Sequence, residues 1–256
     1  MQRVMGGLLG LGMVVMIVAD AAVGLRLIGL AARTHQLPEL AIGAAFLLMG
    51  GIGYPLTFAA RNGLGGPENL QAMLALAFAV QNLGCLAMAV ATWRTFRPDD
   101  SRALAACGLV GALMAVGWGG QLATGAFSAT PGTSWLYWFD YAGRLLPFVW
   151  GAVEAWRYHG MLRRRLALGL ADPVVTDRFR LWALSASGVT GAFLLFLAST
   201  LARVDVAHSL WLTLGIALVS ATSGVCFWLA FLPPRFYLRR FEAAGAAGAA
   251  APAGAA

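Results

Sequence analysis

Asp140 and Arg144 are the residues of this chain best placed to do chemistry. They stand four apart with the acid first, inside a run of Leu, Phe, Val, Trp and Ala. On a helix that spacing lets the two side chains meet along one face. An ionisable pair within an apolar segment is costly, so it is kept to fix packing, to bind a polar ligand or to switch. Polar residues on flanking segments extend the set: Tyr137 and Tyr141 on the same stretch, Asn82 and Gln121 on two others. Asp20, in the first apolar run, is a candidate to pair with Asn82 or Arg144, or to hold a proton or cation. Pro147, one turn beyond Arg144, frees the carbonyl of Gly143 and bends the helix. Past that bend lie Glu154, Arg157 and His159, candidates for an interfacial salt-bridge cluster or for coupling one end of the helix to the other.

Catalytic chemistry finds little here. No GxSxG, HExxH, Walker or GxGxxG arrangement occurs, and no connecting segment is able to fold as a catalytic domain. All eighteen basic residues are Arg, so no side-chain amine exists to form a Schiff base. That bias, with the abundance of Ala and Gly, points to a GC-rich bacterial coding sequence. Cys85, Cys107 and Cys226 lie in apolar runs without a CxxC spacing, which argues against a disulfide framework or a zinc site. His35, His159 and His208 sit at the ends of apolar runs and not in mid-membrane pairs, so a diheme centre is not expected. The expectation is a protein that is not an enzyme and has no metal or cofactor.

The elements that carry these residues are membrane spans. Hydrophobic residues make up 60% of the chain, charged residues 11%, and the mean hydropathy is +0.74, far from the roughly 25% charge of a soluble domain. Seven helices are expected, at about 4–32, 39–60, 68–93, 103–127, 134–158, 178–201 and 209–232, within one domain of residues 1–242. The fifth holds Tyr137, Asp140, Arg144, Pro147, Gly151, Glu154 and Tyr158 on one stripe at alternating three- and four-residue steps, a face turned toward the bundle. Trp138 and Trp156 bracket it, about 27 Å apart by helical rise. Asp100 or Ser101, Ser134 and Asp172 with Pro173 read as helix starts. Pro55 with Gly50, Gly51 and Gly53 predicts a kink or a close approach in the second span. The Ala/Gly tail, 243–256, cannot build a core and is expected to be disordered.

Charge fixes the orientation. Arg33, Arg94, Arg97, Arg102, Arg157, Arg163, Arg164, Arg165, Arg178, Arg180, Arg235, Arg239 and Arg240 fall on one side, against Arg3, Arg61 and Arg203 on the other. The arginine-rich side is the cytosolic one, which puts the N-terminus outside and the C-terminus in the cytoplasm of an inner membrane. The high pI of about 10.2 follows from this topology and not from nucleic-acid binding. Arg163, Arg164, Arg165, Arg239 and Arg240 are then placed to meet anionic lipid, or a membrane or cytosolic protein partner.

In span count and orientation the chain resembles opsins and G-protein-coupled receptors, and also small sugar-transporter-type proteins. The seventh span has no Lys where an opsin attaches retinal, so a covalent pigment is excluded. The expected function is a seven-helix sensor or receptor-like protein with a polar intramembrane cavity. Its alternatives are a small-solute transporter and a non-catalytic membrane subunit that binds a partner or anionic lipid.

Overall fold

The computed structural model describes residues 2–128, 132–204, 206 and 209–241, with the side chains of 2–13 and 128 not described. The chain is 88% helix, and no strand occurs among the described residues. Its elements are α1 (Gln2–Thr34), α2 (Leu37–Phe46), a π-helical segment (Leu47–Gly53), α3 (Tyr54–Arg61), α4 (Leu70–Phe96), α5 (Ser101–Thr124), α6 (Trp135–Ala167), α7 (Pro173–Leu201) and α8 (Leu210–Phe231). A helical turn follows at 235–241. His208 and the 243–256 tail lie outside the described residues.

Among the described residues, six helical stretches are long and apolar enough to cross a membrane: Val14–Thr34, Leu37–Arg61, Pro67–Phe96, Ser101–Thr124, Pro173–Leu201 and Leu210–Phe231. This is a multi-pass helical membrane architecture. α6 is not among the six, because its Asp140–Arg144 pair and its Trp and Tyr residues dilute its apolar character. It is nevertheless packed as a full member: α1, α2, α4, α5, α6, α7 and α8 each contact the next, α8 contacts α1, and α4 also contacts α6. The result is a closed ring.

Local chemistry sets the boundaries. Asp100 accepts from Arg102 N (2.9 Å), Ser134 from Leu136 N (3.3 Å) and Asp172 from Val174 N (2.7 Å). Each satisfies an amide that a helix start leaves open. α6 does not stop at the second aromatic belt; it runs unbroken through Arg163–Arg165 to Ala167. Gly169 ends it in the left-handed region (φ +70), where Gly169 N donates to Leu166 O (3.0 Å) and Leu170 N to Arg165 O (2.9 Å). That pair of bonds is a Schellman cap.

The second span is interrupted where its glycines and Pro55 suggested a kink. Over Leu47–Gly53 the ladder slips by one residue, and Tyr54 N–H reaches Met49 O. Glycine permits close contacts on both sides. A Cβ on Gly24 would fall 2.9 Å from the Gly43 carbonyl oxygen, and one on Gly43 2.9 Å from that of Gly24, so α1 and α2 touch backbone to backbone. At the arginine-rich end a chain of rings ties five helices together: Tyr158–Phe96 (5.8 Å), Phe96–Trp182 (5.2 Å), Trp182–Phe231 (5.6 Å), Phe231–Phe227 (6.0 Å) and Phe227–Phe46 (4.6 Å). Edge and stacked pairs of this kind add about 0.5–1.5 kcal/mol each beyond burial.

Candidate functional site

The α6 stripe faces the bundle: Asp140, Arg144, Pro147, Gly151 and Glu154 are all buried. Asp140 is 0% exposed, and it fits because α5 has no side chain opposite. A Cβ on Gly117 would lie 2.3 Å from the Asp140 backbone nitrogen. Arg144 Nη2 approaches Asp140 Oδ2 to 2.8 Å. The contact is ionic and not a directed hydrogen bond, since Oδ2 has no hydrogen-bond partner of good geometry. Asp140 Oδ1 accepts from Asn82 Nδ2 on α4 (2.7 Å). The Arg144 guanidinium lies 4.6 Å over the Phe78 ring, a cation–π contact in a desolvated setting.

From Arg144 the network continues into the interrupted span. Arg144 Nη1 reaches Gln81 Oε1 at 3.4 Å, while Gln81 Nε2 donates to Thr57 Oγ1 (2.7 Å) and Gly53 O (3.1 Å). Gln81 thereby satisfies a carbonyl at the end of the π-helical segment. α6, α4 and α2–α3 are joined by one polar chain.

Three buried side-chain atoms in this network have no hydrogen-bond partner among the described residues: Asn82 Oδ1, Asp140 Oδ2 and Arg144 Nε. Two are acceptors and one is a donor. Leaving such atoms unmatched in a dry interior costs about 1–3 kcal/mol each.

The other sequence candidates are distributed as follows. Tyr141 donates its hydroxyl to the Phe193 carbonyl on α7, and its ring stacks obliquely on Tyr137 (5.7 Å). Tyr137 lies against Thr200, within electrostatic reach of Arg144. Gln121 is buried, but its amide donates to its own helix at Gly117 O (3.1 Å) and stays out of the network. Asp20 pairs with neither Asn82 nor Arg144, because both are committed to Asp140. It sits instead where Gly50 leaves room: a Cβ there would fall 1.8 Å from Asp20 Oδ2. No hydrogen bond or ion pair holds Asp20 among the described residues; the Tyr54 hydroxyl is within its electrostatic reach.

Past Pro147, the expected cluster of Glu154, Arg157 and His159 does not assemble. Glu154 pairs with Arg97, which follows α4, at 2.6 Å. Arg97 also reaches Asp100 at 3.4 Å. The Glu154 hydrogen bond holds the Arg97 guanidinium above its ordinary value, and the backbone N–H of Arg102 holds the Asp100 carboxyl below its own. Arg157 is exposed without an ion pair among the described residues. His159 is buried with Nδ1 3.1 Å from Thr176 O on α7; a carbonyl only accepts, so Nδ1 carries the proton. At the far end, Tyr237 is buried and donates to Asp177, which also pairs with Arg180 (2.7 Å). Thr57 and Asp177 gave no signal in the sequence; Gln81 and Asn82 did, as mid-span amides in need of partners, and Arg97 was visible only among the arginines that set the orientation.

Comparison of the chain with protein-family models, curated proteins and solved structures gives no match.

Proposed function

We propose that this chain is a seven-span receptor-like protein of a bacterial inner membrane, with α6 crossing the membrane beside the six more apolar helices, its N-terminus outside and its arginine-rich end in the cytosol. A small polar solute binds at Asn82, Asp140 and Arg144, and its presence is passed along α6, past Pro147, to the Arg97–Glu154 pair and the arginine-rich tip. The observation that carries this reading is a pair of unpartnered atoms, the acceptor Asn82 Oδ1 and the donor Arg144 Nε, on side chains that both contact Asp140, whose Oδ2 is held only by the ion pair to Arg144. They ask for a ligand that both donates and accepts, as water, an alcohol or a primary amide does.

The test is a thermal-shift screen of small polyols and primary amides on the purified protein, paired with hydrogen exchange over residues 160–172. Binding should raise Tm in the wild type and not in Asn82→Ala, and Asp140→Asn should change exchange at 160–172. If no solute moves Tm and the two exchange profiles coincide, the layer is structural and the receptor reading falls. Orientation is tested separately: a membrane-impermeant thiol reagent that labels a cysteine at position 170 in intact cells would reverse it.

One feature supports transport as a second reading. The interrupted second span beside an unpaired Asp20 resembles the broken helices that line ion and substrate sites in transporters. Solute accumulation in proteoliposomes that is lost in Asp20→Asn would decide for it.

A further inference from the structure

The loop between α6 and α7 carries an apolar tip on a basic stem. Every residue from 163 to 170 is exposed. Leu168 and Leu170 are each 73% exposed. They are not slack: the Schellman bonds at Gly169 on one side and the Asp172 cap on the other fix the turn that presents them. Trp156, half-exposed on the same helix, is of the residue type that settles at a membrane interface. With Trp156 at that level, Leu168 is twelve residues beyond it, about 18 Å at 1.5 Å per residue. A headgroup layer is only about 5–8 Å deep on each side, so a straight continuation of α6 carries the leucines clear of it. Two neighbouring leucines held out on a fixed turn form an apolar patch of the kind that contacts a protein or a membrane.

Charge indicates what kind. The side chains of Arg163, Arg164 and Arg165 make no ion pair or hydrogen bond among the described residues. Most acids of this end of the bundle are used elsewhere: Glu154 holds Arg97, Asp177 holds Arg180 and Tyr237, Glu39 accepts from Thr34, and Asp100 and Asp172 cap helices; Asp99 is exposed and forms no ion pair with the three arginines.

We infer that the α6–α7 tip is a docking surface for a protein partner with an apolar groove rimmed by Asp or Glu. Leu168 and Leu170 enter the groove, and Arg163–Arg165 pair with its rim. The inference needs only that the chain spans a membrane and stands whether or not the polar layer binds a solute.

The test uses full-length protein in nanodiscs, with an environment-sensitive dye on Ala167→Cys. The probe is a synthetic amphipathic helix of Leu, Ala and Glu, with a counterpart carrying Lys in place of Glu. The Glu peptide should bind and shift the dye emission to the blue. The triple variant R163E/R164E/R165E, shown to melt as the parent does, should weaken binding by at least about tenfold. Leu168→Ser with Leu170→Ser should weaken it without touching its salt dependence. Equal binding of the Lys peptide, or no loss in the charge-reversed variant, overturns the proposal. So does a blue-shifted dye in phosphatidylglycerol discs before any peptide is added, because the occupant is then the membrane.

Discussion

α6 carries two ion pairs that share one chemistry and differ in almost everything else. Asp140–Arg144 lies within the helix, closed from every side; Glu154–Arg97 bridges two elements, and the Arg97 side chain is 34% exposed. In the first, each charge has few alternatives to its partner, so losing one strands the other where the dielectric is low. In the second, water stands ready to replace a lost partner, and salt screens what remains. Burial, and not distance, decides what a pair is worth. The shorter contact, 2.6 Å against 2.8 Å, belongs to the weaker pair.

Several experiments press on that contrast. The largest effect is expected from Arg144→Ala, which leaves Asp140 uncompensated: a loss of about 3–5 kcal/mol. It can be read by the melting of purified protein with a thiol-reactive dye that reports exposure of the buried Cys85, Cys107 and Cys226. Gly117→Ala comes next, at about 1–3 kcal/mol, because its methyl falls on the Asp140 backbone and forces α5 off α6. Glu154→Gln should lower Tm by less than either, and by less still in high salt, whereas the Arg144→Ala loss should not change with salt; equal salt dependence would erase the distinction drawn here. The smallest effect is a pH dependence at the exposed end. The Asp100 carboxyl is held low chiefly by the Arg102 N–H, so its contribution is complete above its ordinary value of 3.8 and is lost as the pH falls through its lowered folded value. A melting curve against pH should be flatter below that point in Asp100→Asn than in the wild type.

Much of the scaffold was legible in the sequence because it is local. Ser134, Asp100 and Asp172 cap helices within two or three residues, and Asp140 meets Arg144 one turn away. The contacts that complete the site are of another kind. Arg97 reaching Glu154 spans 57 residues and Asn82 reaching Asp140 spans 58; spacing rules say nothing at such separations. Asp20 shows the limit most clearly. Its charge suggested Asn82 or Arg144 as a partner, yet its position is set by the absence of a side chain at Gly50, and an absence has no periodicity to read. The expected fifth span was visible as a stripe of polar residues, and that same stripe is what keeps α6 from the hydropathy of its neighbours.

The slipped ladder at Leu47–Gly53 divides the second span into two phases. A residue added to one turn rotates everything after it by about 100°, the advance of one residue on an α-helix. Tyr54–Arg61 therefore presents a different side to the ring than an unbroken wheel drawn from Leu37 would give, and Thr57 faces Gln81 only because of that offset. The two halves of the span are then free to differ in sequence on their own terms. A one-residue deletion inside the segment would be felt by α3 as a change of face, and by α2 hardly at all.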